Sequence, residues 1–336
     1  MKILGIEFAP LLTPLERRLQ TAAVFIYCTM FLFFGTTMTV IILFLAFTPY
    51  FYIPLLYLIW FIFDRNQCCR GGRRWEWFRR MRIWKYFSDY FPVTMIKTAD
   101  LDPNKNYIFG YHPHGILCYG AVVCFGTEAR HFSESFPGIT PRILTLEEQF
   151  LLPFHREYIM CSGMCSASRE SIDWNLTREG KGNALILIIG GATEMLNARP
   201  GTVVLTIKRR KGFAKLALKH GASLVPVFAF GENEIFEQVD NPQGSILRVI
   251  QDKIKTWFRL PTPVIRGRGI FQYSFGYLPF RKPIHVIIGK PIDVKKTPEP
   301  TSDEIDELHQ LYINKLCELY NEHKVKYSPE IELVLN

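Results

Sequence analysis

Charged residues are missing between Arg18 and Asp64, over about 45 positions of the 336-residue sequence. One bilayer crossing takes about 20 apolar residues, so this stretch is long enough for two crossings. Thr48-Pro49-Tyr50 interrupts it, which predicts a transmembrane hairpin over residues 21–63. The length argues against a cleaved signal peptide, whose apolar region is shorter. The remaining alternative is a buried helical pair in a soluble core.

The sequence also lacks ordered cysteine spacing, internal repeats and low-complexity tracts. Its eight cysteines are scattered, unlike those of a small disulfide-bonded secreted domain, which favours a reducing, cytosol-facing compartment. Cys161 and Cys165 are not followed by a His/Cys pair at zinc-finger spacing, so we expect buried thiols there. No metal site and no tightly bound cofactor are predicted.

Positive charge is concentrated in two places. The net charge is +9, and the basic clusters lie at residues 65–85 and 208–215. Such clusters bind nucleic acid, anionic lipid or a phosphate-rich cofactor. The first cluster directly follows the apolar stretch, which favours lipid headgroups over nucleic acid. Together with Arg17 and Arg18 before the hairpin, it predicts that both hairpin ends lie in the cytosol.

Residues 106–336 alternate short apolar runs with amphipathic stretches, which predicts an α/β domain with a mixed sheet flanked by helices. The predicted strands are 106–111, 184–189, 203–207, 223–230 and 285–288, and the predicted helices are 115–127, 212–220, 243–257 and 302–324. Three segments precede this domain: a cytosolic segment (1–20), the hairpin (21–63) and a basic juxtamembrane segment (64–105).

A histidine motif, His112-Pro113-His114-Gly115, follows the first predicted strand and precedes a helix. The carboxyl ends of strands in α/β sheets open into the crevice where ligands bind, and a helix start offers backbone N–H groups to an oxyanion. A neutral imidazole can take a proton from an alcohol near neutral pH. Taken alone, the motif also fits a structural histidine pair in a turn.

Two further segments strengthen the catalytic interpretation. Gly190-Gly191-Ala192-Thr193-Glu194 follows the next buried strand, so a carboxylate stands at a second strand end of the same sheet and could orient the imidazole. A solvated loop glutamate is the alternative. Lys208-Arg209-Arg210-Lys211 runs into a helix start suited to cofactor phosphates, or forms a solvated charged loop.

These motifs resemble those of the diacylglycerol acyltransferase type 2 and monoacylglycerol acyltransferase family of the endoplasmic reticulum. The resemblance is nearly chain-long and includes Gly71-Gly72-Arg73-Arg74, Tyr90-Phe91-Pro92, His112-Pro113-His114-Gly115, Glu157-Tyr158-Ile159-Met160, Gly190-Gly191-x-x-Glu194, Arg210-Lys211-Gly212-Phe213, Val225-Pro226 and Phe230-Gly231-Glu232. The opening Glu7-Phe8-Ala9-Pro10, without a long polar extension before it, looks most like the 2-acylglycerol O-acyltransferase branch.

The resemblance implies a multi-pass endoplasmic reticulum enzyme with its catalytic domain in the cytosol, contact with lipid droplets and a homodimer. Its donor would be acyl-CoA and its acceptor monoacylglycerol, in triacylglycerol synthesis. Related glycerol-phosphate acyltransferases have an Asp five positions after the histidine, where Tyr119 stands here, so Glu194 is the candidate partner of the base. The implied catalytic residues are His114, His112 and Glu194, and the implied substrate-binding residues are Pro113, Gly115, Gly190, Gly191, Arg210, Lys211, Tyr90, Phe91 and Pro92.

Three alternatives stay open at this point. The acceptor could be diacylglycerol or a long-chain alcohol, because pocket shape sets acceptor size. The protein could be a non-catalytic lipid-binding membrane protein that keeps the fold. A metal hydrolase built on His112 and His114 would need a third ligand, which the sequence does not reveal.

Overall fold

The computed structural model describes residues 2–10, 12–178, 180–259 and 261–336. Its strands, in chain order, are β1 (Lys2–Ile3), β2 (Ile6–Glu7), β3 (Thr94–Lys97), β4 (Tyr107–His112), β5 (Thr140–Thr145), β6 (Cys165–Ser166), β7 (Asn183–Ile188), β8 (Val203–Leu205), β9 (Ser223–Phe230), β10 (Glu237–Gln238), β11 (Ile265–Arg266), β12 (His285–Ile288) and β13 (Leu333–Leu335).

Seven of these strands form one mixed sheet in the order β3-β12-β9-β4-β7-β5-β6. All neighbours from β9 to β6 are parallel, whereas β12 is antiparallel to β9. Tyr111 on β4 is in register with Ile188 on β7 and Val227 on β9. The segments that follow β4, β7 and β9 therefore all begin at the same end of the sheet, where the carboxyl ends of these strands lie.

Helices cover both faces of the sheet. The α-helices are α1 (Leu15–Thr29), α2 (Gly35–Ala46), α3 (Tyr52–Asp64), α4 (Glu76–Arg79), α5 (Arg82–Tyr90), α6 (Tyr119–Ala121), α7 (Phe132–Ser135), α8 (His155–Cys161), α9 (Arg169–Thr177), α10 (Gly191–Met195), α11 (Gly212–His220), α12 (Ile246–Phe258) and α13 (Ser302–Tyr327). A π-helical turn, Met30–Phe34, joins α1 to α2, and another, Val122–Gly126, continues α6.

Side chains along β4 point alternately to the two faces of the sheet and contribute to two hydrophobic cores. Tyr107, Phe109 and Tyr111 belong to the core that also contains residues of α1 and α5. Ile108 belongs to the core formed with α11 and α13. Because successive strand residues point to opposite faces, His112 is directed to the α13 side.

The helix Leu15–Ala46 is, within the described ranges, the one helix long and apolar enough to cross a membrane. Its first half docks on the domain, where Tyr27 and Cys28 are buried. Its second half and α3 leave apolar side chains outside, including Phe44 (68% exposed) and Phe63 (84%). α2 and α3 pack together, but α3 has only 13 residues, fewer than the roughly 20 of one crossing. The second predicted crossing is therefore not confirmed.

The α/β prediction is confirmed, and strands 223–230 and 285–288 and helix 212–220 agree with the structure. Two predictions need correction. The strand predicted at 203–207 is shorter and pairs with β13, outside the large sheet. The helix predicted from Gly115 begins at Tyr119, because Gly115 (φ +59°) and Cys118 (φ +51°) adopt left-handed conformations that a helix cannot contain.

Candidate active site

His114 lies in the turn after β4 and remains partly exposed. Its Nδ1 is 3.2 Å from the carbonyl oxygen of Gly115. A carbonyl can only accept, so in this contact Nδ1 carries the hydrogen and the lone pair is on Nε2. Partial burial of the ring lowers the pKa of His114 to about 4, so the imidazole is neutral at pH 7. A neutral imidazole with its lone pair on Nε2 can accept a proton, and the lowered pKa makes it a weaker base than a free histidine.

Glu194 stands next to His114, as predicted, but it contacts a different atom. One carboxylate oxygen accepts the backbone N–H of His114 at 2.6 Å, and the other accepts the backbone N–H of Thr206 at 2.9 Å. The expectation that Glu194 orients the imidazole through a ring nitrogen is thus corrected: the carboxylate holds the main chain that carries the ring. The adjacency of β4 and β7 explains this, because α10 starts directly beside the histidine turn.

The charge state of Glu194 is set by opposing effects. Burial raises its pKa to about 7, while the hydrogen bonds from Thr206 and His114 and the positive charge of Arg210 act in the lowering direction. The carboxyl group therefore titrates near physiological pH.

Two glycines leave space for buried carboxylate side chains: Gly190 for Glu194 and Gly115 for Glu232. A Cβ on Gly190 would lie 2.0 Å from the nearer carboxylate oxygen of Glu194. Gly115 has a positive φ, and a Cβ there would lie 2.7 Å from Cγ of Glu232. Side chains at either position would displace a carboxylate, so glycine is required by space at both and by conformation at Gly115. Gly191 also has a positive φ, of +56°, and the His112–Pro113 peptide bond is cis.

His112 occupies a different environment from His114. Its ring is fully buried, and Nε2 lies 3.1 Å from Oη of Tyr312 on α13. The Tyr312 hydroxyl donates to the carbonyl oxygen of Gly110 at 3.1 Å, so it accepts from His112. Burial lowers the pKa of His112 to about 3. The structure thus places His112 in the core beneath α13, where it joins the sheet to that helix.

The basic turn before α11 follows Thr206, whose backbone N–H donates to Glu194. Its side chains, from Lys208 to Lys211, are exposed. Lys211 Nζ lies 2.6 Å from Oδ1 of Asp306 on α13. The backbone N–H of Lys208 donates to the carbonyl oxygen of Asn336 at 2.9 Å. These contacts hold the turn, and Lys208, Arg209 and Arg210 keep their side chains exposed to solvent.

Tyr90, Phe91 and Pro92 are not brought to His114. Tyr90 and Phe91 are fully buried, and the Phe91 ring lies 5.0 Å from the ring of Tyr119. The Tyr90 hydroxyl donates to the carbonyl oxygen of Pro279 at 2.7 Å. Phe91 thus packs against α6, Tyr90 packs against Phe91 and Arg281, and Pro92 is exposed.

Glu232 is a fully buried acid to which the sequence analysis assigned no role. It follows β9 as Glu194 follows β7, so its position after a strand of the same sheet was the available signal. Its carboxylate accepts hydrogen bonds from the Tyr111 hydroxyl (2.8 Å) and the backbone N–H groups of Tyr119 (2.7 Å) and Gly120 (3.0 Å). Among the described residues, no group of three or more His, Cys, Asp or Glu side chains is placed to hold a metal ion.

Comparison with known proteins finds relatives over nearly the whole chain. A family profile described as diacylglycerol acyltransferase matches residues 42–336. The chain is 51% identical to 2-acylglycerol O-acyltransferase 1 of Bos taurus, over 98% of this chain and 99% of that protein. It is 46% identical to the Homo sapiens protein of that name over the same shares, and 42% identical to diacylglycerol O-acyltransferase 2 of Homo sapiens, over 95% and 83%.

A solved structure, the 1-acyl-sn-glycerophosphate acyltransferase PlsC from Thermotoga maritima, aligns over 93% of this chain and 98% of that chain. Its sequence identity is 14% and its TM-score 0.42. The sequence relatives and the family profile define the class: the protein is an acyltransferase. The chain belongs to the diacylglycerol acyltransferase family.

Proposed function

We propose that the enzyme transfers the acyl group of acyl-CoA to a hydroxyl of monoacylglycerol, forming diacylglycerol in triacylglycerol synthesis. The observation that carries this proposal is the 51% identity to a 2-acylglycerol O-acyltransferase over nearly the whole of both chains. The 42% identity to a diacylglycerol O-acyltransferase supports diacylglycerol as the second candidate acceptor. Both acceptors present a hydroxyl to the same chemistry.

In the proposed mechanism, His114 is the general base. Nε2 takes the proton of the acceptor hydroxyl as the oxygen attacks the thioester carbonyl carbon, and the carbon–sulfur bond then breaks. Coenzyme A leaves as a thiolate that regains a proton. A thiolate leaves readily, so no strong general acid and no covalent acyl-enzyme are required. Glu194 supports this step by holding the backbone of His114. His112 supports it by joining β4 to α13 through Tyr312.

The oxyanion and the donor phosphates have separate partners in this proposal. Backbone N–H groups near Gly115 or Gly190 and Gly191, beside the start of α10, stabilise the oxyanion. Arg210 and Lys211 bind acyl-CoA phosphates, supported by their exposure and their position before α11. Pro113 fixes the turn between the two histidines.

The membrane arrangement extends the proposal. Residues 21–63 form a hairpin whose apolar helices α2 and α3 enter the endoplasmic reticulum membrane, while the part of α1 with Tyr27 and Cys28 stays docked on the domain. Residues 1–20, the basic segment 64–105 and the acyltransferase domain 106–336 lie in the cytosol. The exposed apolar side chains of α2 and α3 and the basic residues at both ends support this orientation. From the family resemblance we also propose that the enzyme contacts membrane lipid and lipid droplets. The resemblance supports a homodimer as well.

The proposal is tested by acyl transfer from labelled acyl-CoA, using membranes that carry wild-type or His114→Ala protein. Monoacylglycerol, diacylglycerol and a fatty alcohol are offered side by side. We expect the wild type to acylate monoacylglycerol fastest. We expect His114→Ala to lose at least about a hundredfold in rate, the low end for lost acid–base catalysis.

The matched control is His131→Ala, which removes an exposed imidazole from the same domain. Faster transfer to another acceptor would replace monoacylglycerol in the proposal and leave the reaction class intact. Full activity of His114→Ala would refute the assignment of His114 as the base.

A further inference from the structure

Glu232 is fully buried and takes no part in the proposed proton transfer. It follows β9 and accepts three hydrogen bonds, from the Tyr111 side chain and from the main chain of Tyr119 and Gly120. Two of these donors are the first N–H groups of α6, which have no partner inside a helix. The carboxylate therefore fixes the start of the helix that follows the histidine turn.

The same side chain also contacts the histidine turn itself. A Cβ on Gly115 would lie 2.7 Å from Cγ of Glu232 and 3.2 Å from its carbonyl oxygen. The main chain of Gly115 thus rests against Glu232. With Glu194 on the backbone N–H of His114, residues 114–120 are held by one carboxylate at their beginning and by another at their end.

Burying an acid without a cation beside it costs free energy, so a fully buried carboxyl group needs strong hydrogen bonds. The hydrogen bonds to Glu232 come from the phenol of Tyr111 on β4 and from two backbone amides at the end of the turn. Burial raises the pKa of Glu232 to about 7, while these hydrogen bonds act in the lowering direction. A core position alone would be satisfied by an apolar side chain. The arrangement is instead specific for the conformation of the turn.

We propose that Glu232 is a positioning residue for acyl transfer, which sets the place of the His114 imidazole and of the nearby backbone N–H groups relative to the thioester. This inference rests on the proposed function. Positioning errors of about 1 Å can cost a hundredfold in rate without loss of binding. The effect is therefore expected in kcat, while the KM for acyl-CoA changes little.

The test compares kcat and KM of Glu232→Gln, Glu232→Ala and Tyr111→Phe, each normalised to folded protein. Glutamine keeps one acceptor but directs an NH₂ group at a backbone N–H, so we expect kcat to fall about tenfold. Alanine removes all three hydrogen bonds and should cost about a hundredfold. Tyr111→Phe removes one bond and should cost about threefold. In each variant, the KM for acyl-CoA should stay within about twofold of the wild-type value.

Tyr107→Phe is the matched control, because Tyr107 lies on the same face of β4 and its hydroxyl donates to the carbonyl oxygen of Asp102 at 2.9 Å. It should keep the wild-type kcat. If Glu232→Ala does not fold, Glu232→Gln decides the matter. Wild-type kcat in folded Glu232→Gln would overturn the inference.

His114→Ala, measured in parallel, separates the two proposals. An inactive His114→Ala beside a fully active Glu232→Gln refutes only the role of Glu232. An active His114→Ala refutes the base assignment, and with it the basis of this inference.

Discussion

His112 and His114 are separated by one proline and lie in two different regions of the molecule. His112 ends β4, points into the core beneath α13 and bonds to Tyr312. His114 stands in the turn, partly exposed, with its main chain on Glu194. Burial lowers both pKa values, to about 3 and about 4, so both rings are neutral at pH 7. Access and partners, more than protonation, separate the structural histidine from the candidate base.

Among the glutamine substitutions around His114, replacement of Glu194 is expected to lower kcat most. In Glu194→Gln, one end of the amide must direct its NH₂ group at the N–H of His114 or Thr206. We expect kcat to fall about thirtyfold with KM nearly unchanged, because one backbone N–H then faces a donor instead of an acceptor. Steady-state kinetics on purified enzyme in micelles measures this.

Glu234→Gln is the control for that change. Glu234 also accepts a backbone N–H, from Gly201 at 2.7 Å, in the loop that precedes β8. If both variants lose kcat equally, the effect of Glu194 is not specific to His114.

Replacement of His112 is expected to change the pH dependence of the unfolding free energy, and not kcat. Its folded pKa of about 3 is below the unfolded value of about 6.5, so below pH 6.5 the unfolded chain binds a proton that the folded chain does not. This contribution to stability is complete above pH 6.5 and decreases as the pH falls toward 3. Relative to His112→Gln, the wild type should lose about 2 kcal/mol of unfolding free energy between pH 7.5 and pH 5.

Denaturant unfolding in micelles at the two pH values checks this difference. His131→Gln, changed at an exposed ring, controls for the removal of a histidine as such. A wild-type advantage that is independent of pH would contradict the buried, neutral state of His112.

The smallest effect is expected in the basic turn. Arg210→Gln should raise the KM for acyl-CoA about threefold and leave kcat nearly unchanged, because exposed charges are screened by solvent and salt. The increase should shrink at high salt, where the wild-type interaction is weakened as well. Lys253→Gln, at an exposed lysine on α12, is the control. An unchanged KM would remove Arg210 from the donor site.

Much of this arrangement could be predicted from the sequence, because it depends on local patterns. The apolar runs 106–111 and 184–189, each followed by a motif, were sufficient to predict that His114 and Glu194 stand at the ends of two strands of the same sheet. The atom that Glu194 contacts could not be predicted, since it depends on how closely α10 approaches the turn. Strand β5 was missed because Pro141 and Arg142 lie inside it, and its burial is a consequence of tertiary packing.

His112 and Glu232 show the same limit. Strand alternation indicates that His112 and Tyr111 point to opposite faces, but only the position of α13 shows which face is closed. Glu232 belonged to a recognised motif, yet its three donors are more than 100 residues away along the chain. Long-range contacts of this kind leave no local signature in a single sequence.

The most direct test of the central claim is the initial rate of acyl transfer to monoacylglycerol by His114→Ala and His112→Gln, each divided by the amount of folded enzyme. We predict a loss of at least about a hundredfold for His114→Ala and less than about threefold for His112→Gln. The reverse order, with His112→Gln inactive although folded and His114→Ala active, would contradict the account.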